Sequence, residues 1–327
     1  MKAVLCRTWG GPETLVIEDL PSLVPEAGEL VIDVKSASVN FPDVLMIQGK
    51  YQLKPALPFT PGSEVAGVVR AVGAGVQGFA VGDRVLSYVV LGAFAEEVRI
   101  AADRVAKMPD GVADDVAASF ILTYGTTHHA LIDRAGLKAG ETLLVLGAAG
   151  GVGLAAVEIG KLLGAKVIAA ASSEEKLAVC RSRGADETIN YATEDLRERL
   201  KAITGGKGVD VVYDPVGGSY TEAALRSIAW RGRFLVVGFA NGEIPRIPLN
   251  LALLKGCAIV GVFWGEFTRK EAANARAGLV ELLGWLAAGR LKPHVSAQFP
   301  LSRTADALRA MQGRTVTGKI VIHPEAV

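Results

Sequence analysis

Residues 143–160, LLVLGAAGGVGLAAVEIG, set four apolar residues ahead of a glycine cluster and a helical pattern. The cluster reads Gly147-Ala-Ala-Gly150-Gly151-Val152-Gly153, a G-x-x-G-x-x-G spacing. Glycines let the backbone turn sharply and approach a pyrophosphate, whose charge then meets free N–H groups and the positive end of the next helix. Val152, Ala156, Ile159 and Leu163 give that helix one apolar face. A bare glycine pattern is weak evidence. Here it follows a strand and opens a helix, so a dinucleotide site is expected, with Gly147, Gly150, Gly151, Val152 and Gly153 in contact.

The second strand decides which dinucleotide, since NAD sites usually carry an acid about twenty residues on. Here KVIAAA runs into Ser172-Ser173-Glu174-Glu175-Lys176. Two hydroxyls and an ammonium one helical turn away suit a 2′-phosphate, which favours NADPH over NADH. Ser172 or Ser173 is equally suited to cap the next helix, with Glu174 and Glu175 in its first turn, and the two roles are compatible.

Metal chemistry has little to work with. Structural zinc takes four close N or S ligands, and catalytic zinc three with an open position. His128 and His129 are adjacent and diverge by about 100° on a helix, so they do not readily share an ion and are read as structural. His294 and His323 have no His or Cys beside them. Cys6, Cys180 and Cys257 are odd in number and far apart, which fits buried thiols. No metal site is expected.

The elements that must position these groups change character along the chain. To about Met108, short alternating segments such as GELVIDVKSASV and EVAGVVRAVGAGV predict a compact antiparallel β domain. Residues 114–135 predict a helix entered through Asp114 and Asp115. From Glu141 the strands TLLVLG, KVIAAA, ETINY, VDVVYD, RFLVVGF and CAIVGVF alternate with helical segments, as in an α/β, doubly wound parallel six-stranded sheet of Rossmann type. A long helix, KEAANARAGLVELLGWLAAGRL, leads to a last strand, TGKIVIHP, of β-domain character. The expected organisation is a split domain, 1–122 and 267–327, around a dinucleotide-binding domain, 123–266.

The 327 residues exceed the usual single-core size, consistent with two domains. A net charge of +1 gives no electrostatic reason for nucleic acid or an anionic membrane as partner. The start, MKAVLCRTWG, lacks the apolar segment of a signal peptide, and the most apolar stretch is interrupted by Glu158 and Lys161. A cytoplasmic protein with a small-molecule substrate is the expectation.

NFPDVLMIQGKY, TPGSEVAGVV and LGAAGGVG together resemble the medium-chain dehydrogenase/reductase superfamily over essentially the whole chain. The resemblance implies a GroES-like β domain embracing the Rossmann domain. Zinc alcohol dehydrogenases of that superfamily carry a histidine inside PG-x-E, where this chain has Ser63. They also carry a cysteine near the place of Asn40 to Asp43, and a four-cysteine lobe absent here. The zinc-free branch resembled is the NADPH:quinone oxidoreductases, zeta-crystallin-like, with 2-enoyl thioester reductases as close relatives.

Both deliver hydride to a conjugated π-system whose developing oxyanion needs hydrogen-bond donors. Tyr51 matches a tyrosine near the substrate, as proton donor or oxyanion partner; it is also readable as a rim aromatic. Asn40 matches a residue donating to cofactor or substrate, and Asp43 a loop-orienting residue or helix N-cap. Thr126 and Thr127 match threonines near the nicotinamide ribose, or are ordinary helix residues. Further cofactor contacts are implied at Tyr191, Gly238, Phe239, Phe263, Trp264 and Lys319. The bulky Phe263 and Trp264 depart from the family pattern; they suit stacking on a planar acceptor, or core or dimer packing. The resemblance implies a homodimer joined through the sixth strand. It leaves two rival activities beside quinone or enone reduction: enoyl-CoA reduction, for which Lys50 and Lys54 would be phosphate partners, and an NADPH-binding redox-sensing or structural role.

Overall fold

A computed structural model describes residues 1–324. The chain forms two compact units, residues 1–122 with the segment from Lys292 onward, and Thr123–Leu291. The first boundary coincides with the expected one. The second lies at Leu291/Lys292 rather than at 266/267, because helix Ala272–Ala287 belongs to the second unit. It packs on helix Trp264–Lys270, and its Glu281 carboxylate is 2.9 Å from His128 Nε2.

In the first unit one sheet runs in the order Val295–Pro300, Lys319–His323, Glu29–Val39, Glu64–Val72, Arg84–Tyr88, Val105–Lys107, with Glu97–Ala101 also paired to Glu29–Val39. Its pairings are antiparallel except between Val295–Pro300 and Lys319–His323. The side chains of Leu30, Ile32, Val65, Val69, Phe94 and Ile320 close its core. Ile320 lies opposite Val39, so the returning strand delivers Lys319 beside Asn40, at the start of helix Phe41–Ile47.

In the second unit six parallel strands run Glu187–Asn190, Lys166–Ala171, Thr142–Leu146, Val209–Asp214, Ile228–Val236, Ala258–Gly261, the order 3-2-1-4-5-6. Their continuous apolar runs suit a sheet covered on both faces. Order reverses between Thr142–Leu146 and Val209–Asp214, and ligands of such sheets bind outside the carboxyl ends at that point.

The single helix expected over 114–135 is three pieces: Asp114–Ala118, Ile121–His128 and a π-helical turn His129–Arg134. The N–H groups of Ser119 and Phe120 turn back to Val116 and Ala117, and the N–H of Leu122 donates to the Glu64 carboxylate at 2.9 Å. A carboxylate from another strand has taken a donor that a continuous helix would use. Asp114 and Asp115 occupy the first turn, with Ala113 as the cap. Among the described residues no helix is long and apolar enough to cross a membrane. The three cysteines are free thiols; burial pushes Cys180 up to about 12, which keeps it protonated and inert.

Candidate active site

Strand Thr142–Leu146 ends at Gly147, whose φ of +57° only glycine adopts without strain. Gly150 is the N-cap of helix Gly151–Leu162, and no side chain caps that end. The N–H groups of Gly151, Val152 and Gly153 therefore open the helix in the manner of an anion site. A Cβ on Gly153 would come 2.4 Å from the Gly147 oxygen and 2.7 Å from Ala148 Cα, so this glycine lets helix and strand touch. A Cβ on Gly150 would meet only the Gly147 oxygen, at 3.4 Å, which leaves the surface of the turn open to a ligand.

At the end of the neighbouring strand, Ser173 caps helix Glu174–Ser182 by accepting the N–H of Lys176 at 3.4 Å. Lys176 Nζ donates to Ser172 Oγ at 3.1 Å. Both readings of the serine pair are thus divided between two residues: Ser173 caps, while Ser172 and Lys176 form a hydroxyl–ammonium pair. Tyr191 follows the third strand and packs at a tilt against Tyr220, ring centres 4.2 Å apart. Gly238 and Phe239 follow the fifth; Gly238 donates to Asp214 O, and the half-exposed Phe239 ring lies over Gly217.

Two expected contacts are placed differently. Thr127 is fully buried, and its hydroxyl bridges the Val152 carbonyl at 3.3 Å and the Tyr213 hydroxyl at 2.9 Å. It steadies the glycine turn from behind, and Thr126 is the member of the pair that keeps exposed surface. Trp264 is buried against Gly125, where a Cβ would come 2.9 Å from the indole. That is core packing, and only Phe263 presents its ring to solvent. His128 pairs with Glu281, and His129 with Asp133 while stacking on Phe267.

The first unit holds the other group. Asn40 is the N-cap of Phe41–Ile47; Asp43 is not the cap but the third residue of the helix, where its Oδ2 accepts the Asn40 N–H at 2.8 Å. Lys319 Nζ donates to Asn40 Oδ1 and lies 3.5 Å from Glu64 Oε2. Asn40 Nδ2 is within 3.3–3.5 Å of Ser38 Oγ, Ser38 O and Glu64 Oε2, and Ser38 Oγ donates to Glu64 at 2.7 Å. The polar atoms of Asn40 and Lys319 face one another inside the wall rather than outward.

Burial pushes Asp43 up to about 7 against the pull of the Asn40 N–H, Lys319 and Ser63, and burial lowers Lys319 against the pull of the carboxylates. Tyr51, half-buried on the rim of this core, is raised by burial and by the charge of Asp43, and remains a neutral O–H donor at neutral pH. Tyr88 is raised for the same reasons, with Tyr51 among its neighbours.

The sequence reading assigned no role to Glu64, Tyr88, Tyr213 or Asp214. Asp214, at the end of the fourth strand, accepts the N–H groups of Val216 and Gly217 and the hydroxyl of Thr221, and so shapes the loop facing the glycine turn within the same sheet. The glutamate of TPGSE was the one available signal for Glu64. Among the described residues no three His, Cys, Asp or Glu side chains gather as a metal-holding group.

Residues 26–110 match the family model "Alcohol dehydrogenase GroES-like domain", and residues 151–281 match "Zinc-binding dehydrogenase". A "Quinone oxidoreductase-like protein 2 homolog" of Nematostella vectensis is 39% identical over 326 residues, spanning 98% of this chain and 88% of that protein. The quinone oxidoreductase of Homo sapiens is 35% identical over 329 residues, spanning 98% and 97%. Among solved structures, the quinone oxidoreductase of Escherichia coli complexed with NADPH superposes with a TM-score of 0.91 at 32% identity, covering 99% of this chain and 100% of that one.

Proposed function

Since the chain belongs to the quinone oxidoreductase family of the medium-chain dehydrogenase/reductases, we propose that it reduces quinones or another conjugated carbonyl with NADPH, without zinc. The observation carrying this reading is the uncapped glycine turn beside the Ser172–Lys176 pair. NADPH, when bound, supplies the hydride. Gly150, Gly151, Val152 and Gly153 hold its pyrophosphate, Ser172 and Lys176 its 2′-phosphate, and Thr126, Tyr191, Gly238, Phe239 and Phe263 border the remainder. The E. coli relative was solved with the same cofactor.

Hydride addition to a quinone or enone leaves an oxyanion, which a neutral phenol can meet without a Lewis acid. Tyr51 fills that role, and its raised pKa keeps the proton in place until the oxyanion forms. Ser63 stands where zinc dehydrogenases keep a histidine, and the stretch Asn40 to Asp43 near where they keep a cysteine, which supports a metal-free mechanism. Asn40, clamped by Lys319 and Glu64, fixes the start of helix Phe41–Ile47, whose Val44, Met46 and Ile47 belong to the core against which Tyr51 packs.

The test is NADPH consumption with 9,10-phenanthrenequinone, 1,4-benzoquinone, crotonyl-CoA and an enone, with NADH and Tyr51→Phe alongside. Quinone or enone turnover with NADPH is expected, with kcat about 10²-fold lower in Tyr51→Phe and NADPH affinity unchanged. Turnover of the thioester alone would replace the reading with enoyl reduction. Tight NADPH binding without turnover of any acceptor would make the chain a binding protein.

A further inference from the structure

The first unit buries two carboxylates and one ammonium, Asp43, Glu64 and Lys319, all essentially removed from water. One positive charge offsets one negative charge, and a second bare carboxylate in such a place is costlier than a protonated acid. Glu64 is the carboxylate equipped to stay ionised, because it receives the Leu122 N–H, the Ser38 hydroxyl and the Lys319 charge. Asp43 receives the Asn40 N–H on Oδ2. Its Oδ1 and the neighbouring Ser63 Oγ are buried and, among the described residues, have no hydrogen bond of good geometry.

From this cluster we propose that Asp43 is the proton store for acceptor reduction: it keeps a proton on its carboxyl group and passes it to Tyr51 after Tyr51 has protonated the reduced acceptor. The inference rests on the reading of Tyr51 given above. With the hydride that bound NADPH would supply, the acceptor gains two electrons and one hydrogen nucleus; the Tyr51 O–H bond breaks as the acceptor oxyanion gains that proton, and Asp43 returns a proton to the tyrosinate. Bulk water then recharges the Asp43 carboxylate, so each turnover consumes one proton from solution. Transfer from a carboxyl to a tyrosinate is downhill, since a phenol ordinarily holds its proton to about pH 10. A single water can carry it across a gap too wide for a direct bond.

The groups that act on Asp43 are the Asn40 N–H, Lys319 on the returning strand, and Ser63 and Glu64 at the start of Glu64–Val72; the charge of Asp43 acts in turn on Tyr51 and Tyr88, and Arg104 acts on Tyr88. Together they leave Asp43 titrating at about 7. The store is full below that pH and empties above it. Quinone turnover is therefore expected to be level below about pH 7 and to fall above it, with log kcat declining one unit per pH unit.

The experiment measures kcat against pH for the full chain with saturating quinone and NADPH, together with carbon-13 spectra of aspartate-labelled protein. Asp43→Asn keeps an acceptor for the Asn40 N–H; it is expected to lower kcat about 10²-fold and abolish the break near pH 7, and to remove one carboxyl signal titrating there. Ser63→Ala removes a group that favours the carboxylate, and is expected to move the break to higher pH. A break that persists in Asp43→Asn, or an Asp43 signal titrating in the ordinary carboxylate range, would overturn the proposal while leaving quinone reduction standing. No turnover with any acceptor would overturn quinone reduction and with it the transfer to Tyr51, whatever proton the spectra show on Asp43.

Discussion

Lys176 and Ser173 sit three residues apart, yet the structure gives them different work. Ser173 Oγ accepts the Lys176 N–H and closes the first turn of Glu174–Ser182, so Ser173→Ala is a capping change worth about 1 kcal/mol of stability. The Lys176 ammonium lies against Ser172 Oγ, and a charge-assisted bond from it to a 2′-phosphate is worth about 1.5–3 kcal/mol. Lys176→Ala is therefore expected to raise the Kd for NADPH roughly 10- to 100-fold and to leave NADH almost unchanged, read by nucleotide fluorescence titration. Parallel weakening of both nucleotides would assign the lysine to the fold instead of the phosphate. The same distinction separates Thr127 from Thr126. The sequence offers two identical hydroxyls in a row, and only burial against Val152 and Tyr213 reveals that one of them braces the turn.

Among the elements, the glycine turn divides its glycines between shape and access, and substitution can tell them apart. The obstacles to a Cβ at Gly153 are the Gly147 oxygen and the Ala148 backbone, which cannot rotate away, so Gly153→Ala forces helix Gly151–Leu162 off strand Thr142–Leu146. The expected result is a loss of about 2 kcal/mol of stability with weakened NADPH binding. Gly150→Ala, with only a 3.4 Å neighbour and a φ of −77°, is expected to keep its thermal midpoint while losing nucleotide affinity. Thermal unfolding and titration of the two variants check this; equal destabilisation would refute the division. The turn was legible because all its determinants lie within one strand–loop–helix unit, and the six parallel strands were legible because apolar runs and helical periods alternate along the chain. The break after Ala118 was not, since it depends on a carboxylate 58 residues away capturing the Leu122 N–H. The Asn40–Lys319 bond spans 279 positions, and no local pattern announces it. The second domain boundary was misplaced for a related reason: the period of Ala272–Ala287 marks a helix, and only its packing assigns it to a unit.

For the whole molecule, the near-neutral charge leaves apolar surface as the main guide to association. In the Thr123–Leu291 unit that surface includes the last strand and the helix before it. Ala258–Gly261 pairs on one side with Ile228–Val236 and ends the sheet order, and its outer edge is covered in part where Arg134 Nε donates to Gly261 O. Ile259 is exposed on this strand, and Leu253, at 80% exposure, with Leu249 and Leu254 lies in or at the start of the preceding helix Asn250–Lys255, which packs on Ile228–Val236. An open edge with an exposed isoleucine on it is a hazard in a monomer unless a partner covers it. A second copy related by a twofold axis presents the same strand to itself and covers both edges at once, in line with the homodimer that the family resemblance implies. Ile259→Lys puts an ammonium onto that edge and is expected to convert a species of twice the chain mass into one of single mass, measured by sedimentation equilibrium. NADPH affinity should hold in the variant, because the glycine turn and the Ser172–Lys176 pair lie at the first and second strands of the sheet. A wild-type chain that sediments as a monomer at micromolar concentration would show instead that these leucines face solvent in the working protein, and the edge would then owe its protection to Arg134 and to the brevity of a four-residue strand.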